Sequence, residues 1–392
     1  MNRFGSLLGQ YGATLSKKDV DILREIDSLD GKSSILKYNP FIWGEAAPIF
    51  YASIGDTRHS LFQIPKSNHV MGQYKRDQMI KTLEQFPLDL SLDLTDDHHE
   101  DRPDLYDPRY ILTSLYHLLG PENAVNCNQI IKSFGLSIAL VGTSSEIISM
   151  RHLSYLVLER LLFHLEASKS LSAVYFWTHF IDCFRASMSS PNQKMPFLLT
   201  SLLVKIIETI DTPKDSMFYE LKDFVTAKPK FDCDQISSLF INLLLSKDLE
   251  WKKCQRFVLN LLARSVRSEQ DFEICKCNNL FNYILSIFTS KWVDWLDRIL
   301  IIQFIKNCSR IPKVLTILVI ESGLIVWLTN IVMTSYRSMG SSQRKEITEL
   351  IEIIRLTCKS TDLPKNSYKK PLMLIKSVIK TINDQEPAPE SI

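Results

Sequence analysis

The sequence predicts an all-α protein, an irregular α-solenoid of stacked helix pairs in the armadillo or HEAT manner. Three observations carry that reading. Apolar residues recur at helical spacing from about residue 108 to residue 384. Helix-starting and helix-stopping residues punctuate the run at short intervals. Helices with one apolar stripe are interspersed with helices apolar almost all round, and the latter must be covered on two sides. No strict sequence repeat with a period near forty is visible, so the array is expected to be irregular.

The 392 residues suffice for a sizeable core or an extended array. Apolar residues make up 45% and charged residues 23%, a globular balance rather than a disordered one. The formal net charge of +2 gives no chain-wide attraction to nucleic acid, so an electrostatic partner must meet a local patch. The eight cysteines are scattered through apolar stretches without a CxxC, which points to buried reduced thiols. The opening MNRFGSLLGQYGATLSKKD has neither the apolar core of a secretory signal nor the arginine bias of a transit peptide.

Element by element, residues 1–87 form an N-terminal helical segment. Helices are expected at Lys17–Leu29 and, opened by Asn68, at Val70–Phe86, around an aromatic stretch at 38–51. Residues 88–107 read as an acidic linker with eight carboxylates and one arginine. The helical-repeat domain runs over 108–384, and 385–392 is expected to be a disordered tail. Asp107-Pro108 places a capping carboxylate before a proline at the first helical position. Gly135 is expected to end a helix near 122–134 with a left-handed turn. Ser144 or Ser145 opens the next helix, whose stripe is Met150, Leu153, Val157, Leu161 and Leu165, with His152, Glu159 and Glu166 opposite. The run 197–210 leaves only a narrow polar strip. Pro196, Pro312 and Pro371 are each expected to start a helix.

Motifs that would carry chemistry are weak. The run 314–333 is twenty residues with one charge, long enough to span a membrane, but Glu321-Ser322-Gly323 breaks it into two shorter buried helices. His98-His99 with Glu100 and Asp101 reads as a solvated acidic loop, because adjacent histidines cannot face one ion and no third ligand is suitably spaced. The remaining histidines (59, 69, 117, 152, 164, 179) read as satisfied surface or core residues. Asp30-Gly31-Lys32-Ser33 lacks the earlier glycine and the strand of a phosphate loop. No hydrolase, dinucleotide or metalloprotease motif is present. The expectation is therefore no enzyme, with no catalytic residues, no metal site, no cofactor and no small-molecule substrate.

Charge offers one candidate site. Between Gln343 and Lys380 nine basic residues face four acids. The expected nucleic-acid or partner-binding residues are Arg344, Lys345, Lys365, Tyr368, Lys369, Lys370 and Lys376. Tyr368 sits in KNSYKK, read as a loop before the Pro371 helix that holds phosphates and stacks one base. The competing reading is a solvated helix face. Arg256, Arg264 and Arg267 present the same choice on a helix starting at Trp251.

From Leu105 onward the sequence resembles the C-terminal region of the nucleolar pre-ribosomal-associated protein 1 family. The pieces that carry the resemblance are the YDP of 106–108, PENAVNC at 121–127, GLSIAL at 135–140, SMR at 149–151 and HLEAS at 164–168. Further pieces follow in order at 195–225, 249–268 and 324–332, and YGATLS (11–16), IWGEAA (42–47) and RDQMIKTLEQFP (76–87) match earlier. The resemblance implies a non-enzymatic helical-repeat scaffold of the nucleolus. It would act in early assembly of the large (60S) ribosomal subunit and in maturation of its precursor rRNA. Implied partners are pre-60S assembly factors, including a DEAD-box helicase, and precursor rRNA, with no membrane. Family members are several times longer, and without a catalytic motif there are no functional residues to carry over. The alternative is a generic α-solenoid adaptor for protein interaction.

Overall fold

The computed structural model describes residues 3–29, 41–53, 66–94, 100–168, 171–227, 229–361 and 363–384. The chain divides into two compact units, Met1–Phe231 and Asp232–Ile392. Both are all-α stacks of solenoid-like build, as the apolar periodicity predicts. Strand among the described residues is confined to one two-stranded ribbon.

Unit 1 opens with α1 (Arg3–Gln10), β1 (Thr14–Leu15) and α2 (Lys17–Leu29). The Asp19 carboxylate accepts from the Gly12 and Thr14 amides at 3.0 Å each, pinning the chain as it enters α2. β1 pairs antiparallel with β2 (Arg102–Tyr106), so that Thr14 lies opposite Tyr106. The sequence gives no warning of this ribbon, because its strands are short and nearly ninety residues apart. Residues 100–107 of the acidic stretch are therefore built into the unit. Asp101 accepts from the Lys17 amide at 3.0 Å, and the Asp107 amide donates to the Ala13 carbonyl at 2.8 Å.

Helices α3 (Ala46–Ser53), α4 (Ser67–Met71) and α5 (Arg76–Glu84) follow α2. The single helix expected over Val70–Phe86 is thus two. The Lys75 amide donates to the Tyr106 hydroxyl at 2.9 Å, and the Gln73 side chain accepts from the Trp43 amide at 2.9 Å. These tertiary bonds turn the chain into a cluster of Tyr11, Trp43, Tyr74, Tyr106 and Tyr110, whose neighbouring rings lie 4.9–6.4 Å apart, mostly edge to face.

The stack of unit 1 continues with α6 (Pro108–Leu118), α7 (Cys127–Lys132), α8 (Gly135–Gly142), α9 (Ile148–Ala167), α10 (Leu171–Ala186), α11 (Phe197–Ile210) and α12 (Phe218–Ala227). Asp107 caps α6 as expected, accepting from the Arg109 amide at 2.9 Å. The turn at 134–135 differs from expectation: Phe134 takes the left-handed conformation (φ 68°), and Gly135 is the first residue of α8. Glycine is needed there for close approach, since a Cβ would lie 2.5 Å from Ile130 Cγ2 and 2.9 Å from the Ile130 carbonyl. α8 is buried at every position. On α9, Met150, Val157, Leu161 and Leu165 are buried, while Leu153 is only half-buried. Pro196 is the cap residue of α11.

Unit 2 comprises α13 (Cys233–Leu244), α14 (Trp251–Ser265), α15 (Glu269–Lys276), α16 (Leu280–Phe288), α17 (Trp295–Arg310), α18 (Pro312–Ile320), α19 (Leu324–Ser335), α20 (Ser341–Thr357) and α21 (Lys365–Asp384). Pro312 starts α18 as expected, and α18 and α19 are bent by 70° at 321–323. Gly323 makes the corner with φ +65°, a conformation that penalises any Cβ. Among the described residues, no single helix is long and apolar enough to cross a membrane. Pro371 departs from expectation. α21 begins six residues before it, so KNSYKK is helix rather than loop.

A repeat absent from the letters is present in the bonds. In unit 2, Arg256 (α14) reaches Asp297 (α17) at 2.8 Å, and Asn307 (α17) donates to the Ala263 carbonyl (α14) at 2.7 Å. Lys306 (α17) reaches Glu346 and Glu349 (α20) at 2.7 and 2.9 Å, and Trp327 (α19) donates to the Leu285 carbonyl (α16) at 3.2 Å. These partners are separated by 40–44 residues in sequence. In unit 1 Arg151 reaches the Asn192 carbonyl, His164 the Gly120 carbonyl, and the Phe231 amide the Ser187 hydroxyl, at separations of 41–44. Several bonds between neighbouring helices of each unit thus join residues 40–44 apart. Ion pairs and side chain–carbonyl bonds interchange from one step to the next, which is why no residue motif recurs.

His117, near the end of α6, carries a pH dependence. Burial, reinforced by the Arg160 guanidinium, pulls its imidazole from the ordinary 6.5 to about 4. Between those values the unfolded chain takes up a proton that the folded chain refuses, so stability falls as pH drops from 6.5 towards 4. Unfolding of the His117→Gln chain should be less steeply pH-dependent across that window. An unchanged slope would place the acid sensitivity elsewhere.

Candidate interaction surface

The predicted basic residues do not form one equivalent set. Arg344 is half-buried at the start of α20. Its guanidinium donates to the Tyr336 and Arg337 carbonyls at 3.1 and 2.8 Å, closing the short 3-10 turn 336–338. Lys345 is exposed one residue later. Lys376 on α21 is spent on Glu352 of α20 at 2.8 Å, tying the last two helices together. Tyr368 is half-buried, and Lys369 and Lys370 are exposed. The side chain of Lys365 lies outside the described residues. Helical geometry places Lys369, Met373, Lys376 and Lys380 along one line, with Lys370 and Leu374 beside it. All six are exposed, with Lys370 and Leu374 opposite the buried Leu372, Ile375 and Ile379 and the Lys369 line flanking that buried face.

Among the described residues, Glu346, Glu349 and Glu352 of this region are each paired with a basic residue. Glu352 is held down at about 2 by hydrogen bonds from Arg355 and Lys376. Glu349 is lowered by its bond to Lys306, a lysine only 2% exposed. The lysines of α21 therefore dominate the outer charge of this face.

The second basic set is largely structural and is not one helix face: Arg256 and Arg264 are on α14, but Arg267 lies past its end at Ser265. Arg256 is bound to Asp297, which is buried. Burial pulls the Arg267 guanidinium down to about 10. Arg264 is exposed. In unit 1 a cleft of about 410 Å³ is lined by Leu15, Gln85, Pro87, Asp89, Leu90, Ser91, Glu100, Arg102, Leu105 and Arg109. Its two arginines are paired with Asp104 and Asp107, and the Ser91 hydroxyl accepts from the Asp93 amide. Among the described residues no group of three metal-ligating side chains comes together. His98, His99, His59 and the Asp30–Ser33 stretch lie outside those residues. All eight cysteines are free thiols. Burial raises Cys275 and Cys308 well above the ordinary thiol value, and Cys358 to about 11. His179 and Cys183, one turn apart on α10, lie 3.3 Å from each other, with His179 also on the Val225 carbonyl.

Comparison with known proteins follows the stack rather than any one of these residues. The family model described as nucleolar pre-ribosomal-associated protein 1 matches residues 136–327, from α8 to the Trp327 turn of α19. The human protein of that name is 26% identical over 345 residues, covering 86% of this chain and 15% of the relative. The mouse protein is 25% identical over 384 residues, covering 94% and 17%. The chain is similar to proteins of the nucleolar pre-ribosomal-associated protein 1 family. It spans 15% and 17% of the length of these two curated relatives. No solved structure matches it. Within the residues that the nucleolar pre-ribosomal-associated protein 1 model matches lie the α14–α17 bonds and the Gly323 corner. The basic face of α20 and α21 lies beyond them.

Proposed function

We propose that this chain is part of a non-enzymatic nucleolar scaffold acting in early assembly of the large (60S) ribosomal subunit and in maturation of its precursor rRNA. The observation that carries the reading is the relation, over most of the chain, to proteins named nucleolar and pre-ribosomal-associated. The build of the two units supports it. Their helices spend apolar faces on one another and leave recognition to surface shape and charge. In this reading the units are irregular members of the armadillo and HEAT class, whose repeats run to about 40–47 residues. Partners are pre-60S assembly factors, a DEAD-box helicase among them, and precursor rRNA. Sedimentation of nucleolar extracts from cells carrying the tagged chain tests the reading. The chain is expected in the fractions that hold 60S precursors.

A further inference from the structure

α21 is amphipathic in an unusual way, because its outward face is apolar as well as basic. Met373 is 63% exposed and Leu374 52% exposed, with Lys369 and Lys370 one turn before them and Lys380 beyond. α20 lies alongside and carries an exposed leucine of its own. The Lys376–Glu352 ion pair joins the two helices, Met373 stands one turn from Lys376, and Leu356, 53% exposed, stands one turn from Glu352. Lys359 lies just past Leu356 and is exposed. Met373 and Leu374 therefore stand among lysines on α21, and Glu352 of the neighbouring helix is neutralised by Arg355 and Lys376.

We propose that this lysine-framed apolar strip docks an acidic amphipathic helix of a partner protein. Its apolar residues, three and four apart, would cover Met373, Leu374 and Leu356, and its carboxylates would meet Lys359, Lys369, Lys370 and Lys380. Charge complementarity selects an acidic occupant. The apolar centre selects protein over RNA, since a phosphate backbone uses the lysines but gains nothing from covering methionine and leucine. Methionine suits such a site because its unbranched thioether adapts to the shape laid on it. The proposal gives the scaffold reading a partner class and rests on it only for the existence of a partner.

The test has two parts, both in the full chain. The first measures binding of a designed peptide helix, leucine at every third and fourth position and glutamate elsewhere, and of a uridine-rich RNA oligonucleotide. Paired Met373→Glu and Leu374→Glu substitutions are expected to weaken peptide binding about tenfold or more, as loss of an interface centre does. Lys369→Glu with Lys370→Glu is expected to weaken it and to flatten its salt dependence. Both pairs are exposed, and unchanged thermal unfolding confirms intact folding. RNA binding that depends on the lysines and ignores Met373 and Leu374, without peptide binding, overturns the proposal. The second part places a photo-crosslinking residue at position 373 in cells and sequences what it captures. An acidic amphipathic segment of another protein supports the proposal. Capture of RNA, of a second copy of this chain, or of nothing overturns it. A chain absent from 60S precursors that still captures such a segment would sink the scaffold reading and leave this one standing.

Discussion

Replacing Asp107 with alanine is expected to destabilise unit 1 by about 3–5 kcal/mol, the cost of leaving a buried charge without its partner. Asp107 is wholly buried, and the Arg109 side chain is 1% exposed. The carboxylate takes the Arg109 guanidinium through three contacts at 2.8–3.0 Å and also accepts from the Arg109 amide at the head of α6. Alanine removes both the cap and the counter-charge, stranding a guanidinium that cannot lose its proton. Asp107→Asn keeps a capping acceptor and should lose less. Asp107→Ala combined with Arg109→Met should recover most of the loss, since no charge is then buried. Urea unfolding read by hydrogen exchange at unit 1 amides measures all three. A loss below about 1 kcal/mol in the single alanine variant would mean the pair is worth no more than a surface ion pair.

In unit 2 the largest effect is expected at Phe304, where alanine should cost about 3–5 kcal/mol through lost burial and the cavity left behind. α17 lies between α14 and α20 and is bonded to each, and Phe304 is 1% exposed. Its ring meets Phe281 of α16 at 5.7 Å, and Phe281 meets Phe272 of α15 at 5.8 Å, so the truncation removes one end of a chain of rings running through three helices. Leu296 on the same helix is exposed, and Leu296→Ala should change stability by no more than about 0.5 kcal/mol. Equal losses from the two truncations in denaturant titrations would contradict the placement of the core.

Much of the fold was legible in local patterns because local physics sets it. The Asp107-Pro108 start of α6 and the Glu321-Ser322-Gly323 corner each follow from capping or backbone preferences within a few residues. The misreadings came where distant residues intervene. Tyr106 takes the Lys75 amide and splits the helix expected over 70–86. Thr14 and Leu15 find β2 across a separation that no local period records. Gly135 and Phe134 exchange their expected roles because Ile130 leaves no room for a Cβ at 135. At Pro371, tertiary packing of Leu372, Ile375 and Ile379 sustains a helix that local preference would have begun there.

The candidate surface was legible only as a charge count. That count could not distinguish Lys376, committed to Glu352, or Arg344, committed to backbone carbonyls, from the outward Lys369 and Lys370. Nor could it reveal Met373 and Leu374 as surface residues, because apolar positions at helical spacing read as core until the neighbouring helices are placed.

Gradient sedimentation of nucleolar extract is the direct test of the proposed role in 60S precursors. The tagged chain is expected to migrate with the large-subunit precursor rRNA and to leave those fractions when RNase dismantles the particles. A chain confined to fractions free of ribosomal precursors would contradict it.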